Sequence, residues 1–305
     1  MKRIAFIAIS VLIALAVALS ADAQTCSFLS IPADVRSFSL GGASVASPAS
    51  SLNPAAALFS KDNASLGVSY IYWLPSSSDV KAMNLGGYWN LSDRISLSAG
   101  GTIAVHRQMV LFDDFGFSDG TFRPVESSYR LGASFQLGGA VALYAAGKVV
   151  SSSLAPDCQG FAFAGDVLAV YRKESISFTV GVLNVGSRMS YGHGSYILPM
   201  RICGGAEYVL ALEDHALTGT CETGFIMAQS EAVKGIHYTG LGIDYTYAGI
   251  ASARIGYHYD TSNAGYCSLG LGLRLFGIGL DAFYLVAGRS SSIFGTFGLG
   301  LSYSF

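Results

Sequence analysis

Charge is scarce in this chain. Asp, Glu, Lys and Arg together make up 12% of its 305 residues, about half of the ~25% found in an average soluble domain. Long apolar runs are missing as well. No stretch reaches the ~18 residues that a spanning helix needs, although 51% of the chain is hydrophobic and its mean hydropathy is +0.45. High hydropathy without such runs is what alternating, lipid-facing strands produce. A net charge of −2 with no basic block excludes nucleic acid as a partner. The five cysteines are odd in number and show no CxxC or His-Cys spacing, so neither a zinc site nor a disulfide framework is specified. No GxSxG elbow, HExxH pair or phosphate-cradling glycine loop occurs. Among five dispersed histidines, His237 is the one candidate for a lipid-face catalytic pair, and no serine falls in register with it. The expectation is a non-enzyme without cofactor or metal.

What the chain does have is period-two alternation. In the last stretch, 293–305, Ile293, Gly295, Phe297, Leu299, Leu301, Tyr303 and Phe305 share one face, and small or polar residues share the other. Thirteen residues exceed the usual ~5–6 of a soluble strand and suit the ~9–11 that a tilted strand needs to cross a bilayer. A closing strand of alternating aromatics ending in Phe resembles the terminal strand of bacterial outer-membrane barrels. Thirteen more segments alternate before it, at 65–74, 81–91, 94–106, 127–137, 141–151, 161–172, 175–185, 200–211, 215–227, 236–247, 251–260, 266–276 and 279–288. Fourteen is an even count, as bacterial single-chain barrels require. Connections after even strands are short (Ser92-Asp93, Gly138-Gly139, Lys173-Glu174, Glu213-Asp214, Ala248-Gly249, Gly277-Ile278), and those after odd strands are usually longer. The fold class is therefore all-β: an antiparallel membrane barrel of about fourteen strands over 64–305, in the outer membrane and in contact with its lipid.

Residues 1–23 form a signal peptide, with Lys2 and Arg3 ahead of an apolar core and Ala21-Asp22-Ala23 as its cleavage site. Residues 24–63 lack alternation but keep Phe28, Ile31, Val35, Phe38 and Leu40, too apolar for solvent. The run Pro32, Arg36, Gly41-Gly42 and Asn53-Pro54 resembles the amino-terminal signature of the PorV/PorQ family, a branch of the FadL-like barrels. Ser47 to Leu52 stand where that family carries acidic residues. Further matches follow at Asn184-Val185-Gly186, Leu198-Pro199-x-Arg201 and Asp244-Tyr245…Arg254-x-Gly256-Tyr257. The resemblance implies that 24–63 is a small plug. It also implies a role as an adaptor in protein secretion of the type IX kind, with secreted proteins or secretion machinery as partners. The FadL side implies the alternative, passive uptake of a hydrophobic small ligand through a side opening. Such an opening needs an inward kink in a wall strand, marked by Gly or Pro. No Pro interrupts a strand after Trp73, which favours the adaptor.

Parity places nine strand charges on the inner face: Arg130, Lys148, Asp166, Glu207, Glu222, Asp244, Arg254, Arg274 and Asp281. A lipid-facing Arg or Lys would cost ~2–4 kcal/mol at the midplane. Mixed signs suit mutual neutralisation in a lumen better than selection of one permeant charge. A three-residue loop, Ala248-Gly249-Ile250, sets Asp244 opposite Arg254, and a two-residue loop, Gly277-Ile278, sets Arg274 opposite Asp281. Trp89, Tyr129, Tyr171, Tyr208 and Tyr303 are expected at the lipid rims. The 24–63 segment should begin at the short-turn end, where Phe305 also finishes. The long loop 107–127 carries Phe112, Phe115, Phe117 and Phe122 among acids. It is expected either to meet a partner or to fold over the mouth as a lid.

Overall fold

The structure, a computed structural model, describes residues 25–46, 50–113, 115–192, 194–228, 234–262, 265–289 and 291–305. The signal peptide expected over 1–23 lies outside them. Fourteen strands form one closed antiparallel barrel, each paired with its neighbours in sequence, and the last pairs with the first. They are β1 (Ala64–Trp73), β2 (Val80–Ser92), β3 (Ile95–Val105), β4 (Val125–Gly138), β5 (Val141–Ala155), β6 (Cys158–Lys173) and β7 (Ile176–Gly186). The second half comprises β8 (Arg201–Leu212), β9 (His215–Ile226), β10 (Ile236–Tyr247), β11 (Ala251–Asp260), β12 (Tyr266–Leu275), β13 (Ile278–Val286) and β14 (Phe297–Ser304). Closure removes every exposed sheet edge, so all backbone groups of the wall find partners, as lipid demands. No helix among the described residues is long and apolar enough to cross a membrane.

Alternation is visible strand by strand. In β12, Tyr266, Ser268, Gly270 and Gly272 are buried, while Cys267, Leu269, Leu271 and Leu273 face out. All five expected rim aromatics, Trp89, Tyr129, Tyr171, Tyr208 and Tyr303, are exposed on the outer face. The turns β2–β3, β4–β5, β6–β7, β8–β9, β10–β11 and β12–β13 are short and lie with Ala64 and Phe305 at one end. Loop 106–124 lies at the other.

Three expectations need correction. The last strand starts at Phe297, because Ile293 to Thr296 form a turn that buries Ile293 with Phe38 and Phe283. The turn between β12 and β13 is Phe276-Gly277, both at positive φ (52° and 81°). That two-residue geometry favours Gly in the second place, not the first. The register therefore shifts by two: Arg274 stands opposite Gly279 and Asp281 opposite Gly272, and the pair Arg274–Asp281 does not form. Finally, the amino-terminal segment starts at the long-loop end. Cys26 and Phe28 pack there with Val80, Ala104, Val150 and Leu198. From that point the chain descends through the lumen to the short-turn end, where it enters β1. Burial accounts for the lengthwise path. Phe28, Val35, Phe38 and Leu40 are all removed from solvent only if the segment runs the length of the barrel.

Candidate functional site

The lumen is organised around a row of alternating charges. Register places Asp244 of β10 opposite Arg254 of β11, and Arg254 Nε donates to Asp244 Oδ2 at 3.0 Å. Arg36 reaches the same carboxylate oxygen from the amino-terminal segment, through Nη2 at 2.8 Å and Nε at 3.1 Å. On the far side Arg254 Nη1 pairs with Asp281 of β13. The row thus reads Arg36, Asp244, Arg254, Asp281, and it joins the plug to three wall strands. Arg36 sits in the single helical turn Val35–Ser39, started by Asp34, whose carboxylate accepts from the Arg36 amide. Pattern reading gave the β10–β11 pairing and the inward side of Asp281. It missed that Arg36 completes the row, because nothing in a local pattern reports a contact across 208 residues.

Further polar anchors hold the segment. Glu222 accepts from the Val45 amide at 2.7 Å and from the Tyr238 hydroxyl at 3.0 Å. Arg130 Nη2 donates to the Leu52 carbonyl, Arg201 Nη2 to Ser44 Oγ, and Asn53 Nδ2 to the Ser44 carbonyl. Gly41, at φ +70°, lies against the β10–β11 wall, where Gly240 and Gly256 leave room for its backbone and Gly242 for Leu40. Gly42 follows at φ +79°, and Pro54 opens the short 3-10 helix Pro54–Phe59. Pro32 lines a central cavity of about 130 Å³, together with Asp34, Arg130, Lys148, Asp166, Asn184 and Arg201.

Four ladders of the wall shift register, three of them beside a turn or strand end (Asn90/Ser92, Gln136/Gly138 and Ser153/Ala155) and one inside the β6–β7 pair. Gly165 of β6 pairs with Val185 of β7, and Val167 pairs with Val182. One residue, Asp166, therefore faces two, Leu183 and Asn184. Both of these point inward and are buried, so β7 carries a β-bulge that bends it into the lumen. Asn184 takes the left-handed conformation, φ 59°, which Asn tolerates better than most residues. Its amide donates to Asp166 Oδ1 at 2.9 Å and its Oδ1 accepts from Lys148 Nζ at 2.7 Å. Lys148 Nζ also lies 2.8 Å from Asp166 Oδ2. Just beyond, Gly186 lies so close to the Phe163 carbonyl that no Cβ would fit. The kink exists without proline, so the absence of Pro from the strands carried no weight against it.

At the long-loop end the barrel is covered. Met189, Tyr191 and Leu198 are buried against Cys26 and Phe28, and a short hairpin, Met189–Ser190 with Ser195–Tyr196, closes over them. Burial, with the nearby Glu126 charge, pushes the Cys26 thiol up to about 12. Loop 106–124 is not the cover. It forms a separate hairpin, Met109–Phe112 with Ser118–Phe122, in which Phe112, Phe115 and Phe117 are exposed and Phe122 is half-buried. His237 faces outward, its Nε2 3.1 Å from Thr223 Oγ1, and no serine stands beside it in the β9–β10 or β10–β11 register. Among the described residues no three of His, Cys, Asp or Glu are grouped to hold a metal.

No family model matches the chain, and no curated protein matches it by sequence. Solved structures do match by shape. A toluene transporter of P. putida, TodX, aligns with a TM-score of 0.64 at 11% identity, over 88% of this chain and 97% of that one. A monoaromatic hydrocarbon channel, CymD, aligns at 0.61 and 12% identity, over 90% and 97%. A FadL homologue of Pseudomonas aeruginosa aligns at 0.54 and 12% identity, over 89% and 98%. At such identities the likeness establishes the fold alone, a closed antiparallel barrel. It brings nothing specific to the PorV/PorQ branch.

Proposed function

We propose that the chain is a passive channel of the bacterial outer membrane for a small hydrophobic compound. The β7 bulge at Leu183-Asn184 carries the reading. At the long-loop end Phe28, Val150, Met189 and Leu198 pack into a buried apolar layer beneath the cover, which a hydrophobic solute reaches only when the cover opens. The centre of the lumen is hostile to it, since Asp34, Arg130, Lys148, Asp166 and Arg201 line that cavity and an apolar group gains nothing by displacing water from charges. A path through the wall at the bulge leaves the lumen at the edge of this cavity, past Asn184 and its partners Lys148 and Asp166, rather than along its whole length. The bulge lies at the height of the central cavity. On the outer wall, Leu131, Val149 and Phe163 of β4, β5 and β6 line a broad apolar depression that ends at β6, the strand paired with β7. The solute would then pass from the mouth to the membrane interior without traversing the charged cavity from end to end. The likeness to channels titled for toluene and monoaromatic hydrocarbons supports this substrate class.

The test is uptake of labelled toluene by Gram-negative cells with and without the folded barrel, beside a polar solute of similar size. Faster toluene entry with unchanged polar entry is expected. Equal gains for both would describe an open pore, and no gain would end the proposal. The adaptor reading implied by the PorV/PorQ resemblance has one feature in its favour, the exposed phenyls of the Met109–Phe122 hairpin. Recovery of secretion-machinery proteins with the wild-type barrel, lost when Phe112, Phe115 and Phe117 become Ser, would support it.

A further inference from the structure

A second cavity, of about 280 Å³, lies beneath the plug at the short-turn end. Four cations reach it: Arg36 from the plug, Lys61 from the segment leading into β1, Arg172 near the end of β6 and Arg274 near the end of β12. Asp62 is the one carboxylate in its lining. The other acids nearby are already engaged. Asp244 and Asp281 serve Arg36 and Arg254, and Glu207 lies 3.8 Å from Arg172. Among the described residues, neither Lys61 nor Arg274 has an ion-pair partner.

The register shift between β12 and β13 is what leaves Arg274 unpaired. It faces Gly279, which in turn faces Ser302 of β14. A Cβ on Gly279 would come 2.5 Å from Ser302 Oγ and 3.9 Å from Arg274 Nε. The exposed Arg274 side chain therefore runs over bare backbone, and among the described residues its guanidinium has no hydrogen-bond partner. More hydroxyls complete the lining: Tyr88 donates to Ser60 Oγ at 2.9 Å, and Ser304 to Ser65 at 3.0 Å. An excess of cations, an uncommitted guanidinium and a ring of hydroxyls is the donor set that recognises an oxyanion.

We propose that this chamber binds a phosphate-type oxyanion, with Arg274 and Lys61 as its principal ligands. The group comes either from free phosphate or from a phospholipid headgroup at the short-turn rim. The site is independent of what the barrel conducts. The full chain in non-ionic detergent is titrated with inorganic phosphate by calorimetry, and in a second arm with short-chain phosphatidylglycerol. Saturable binding is expected, weakened about tenfold or more in Arg274→Gln and in Lys61→Gln, with Arg274→Lys between. Phosphate binding in the first arm identifies the free ion. Lipid binding that excess phosphate displaces identifies the headgroup. Neither variant removes a contact that holds the fold, and the heat-dependent shift in electrophoretic mobility checks each barrel. Absence of saturable binding to both probes, or wild-type affinity in both Gln variants, overturns the proposal.

Discussion

Replacing Arg36 by Gln should loosen the plug while sparing the barrel. The Asp244 side chain is 1% exposed, that of Arg254 6% and that of Arg36 20%. Without Arg36, Asp244 keeps Arg254, so no charge is stranded. The loss is that of a charge-assisted hydrogen bond, about 1.5–3 kcal/mol. Asp244→Asn is harsher: it leaves Arg36 unpaired and Arg254 with Asp281 alone. Breaking a buried pair costs about 3–5 kcal/mol, and the surviving Asp281 contact puts this case near 3. Because both substitutions delete the same contact, the double variant should cost less than the sum by about 1.5–3 kcal/mol. Hydrogen exchange at the Phe38 and Gly42 amides, which donate to Asp34 and Ser37 carbonyls, reads the opening directly. Protection there should fall roughly 10–100-fold in Arg36→Gln, with barrel amides unchanged. Unaltered protection, or additive costs in the double variant, would refute the charged row as the plug's anchor.

Gly186→Val should abolish the folded, heat-modifiable form, since its side chain would run into the Phe163 carbonyl. Phe115→Ser and Phe117→Ser, on the exposed hairpin, should leave thermal stability within about 0.5 kcal/mol of wild type in a melting experiment. Cys26, with its pKa raised from 9.0 to about 12, stays a neutral thiol throughout the neutral range. At pH 8 its thiolate fraction lies about a thousandfold below that of an ordinary thiol. Mass-spectrometric iodoacetamide labelling of Cys26 should be correspondingly slow in the folded barrel and fast in urea.

The barrel was legible because parity is a local signal. Lys148 and Asp166 had to point inward wherever their strands ended up, and turn residues such as Ala248-Gly249-Ile250 set one register correctly. Parity has limits, however. It could not tell which of two frames a two-residue turn selects, so Arg274 was assigned a partner that belongs to Arg254. It could not orient the plug, since Phe28 and Phe38 need burial but do not say against which end. Asn184 illustrates the third limit. An extra residue inverts the parity of everything after it, and with only Val185 and Gly186 left in β7 that reads as noise unless the partner strand is known. The motif Asn184-Val185-Gly186 stands out in the sequence only as a resemblance. Its physical meaning, an inward bulge opposite Asp166, appears only with the β6–β7 pairing.

The same pairing supplies the most direct test of the channel. Deleting Asn184 leaves Val182, Leu183 and Val185 opposite Val167, Asp166 and Gly165, a regular ladder with every remaining side chain on its present face. The wall straightens, at the cost of the Asn184 contacts with Lys148, Asp166 and Pro199. Toluene uptake by cells carrying this variant, measured at equal amounts of folded barrel, should fall to the rate of cells without the barrel. Uptake at the wild-type rate would contradict a path through the β7 bulge.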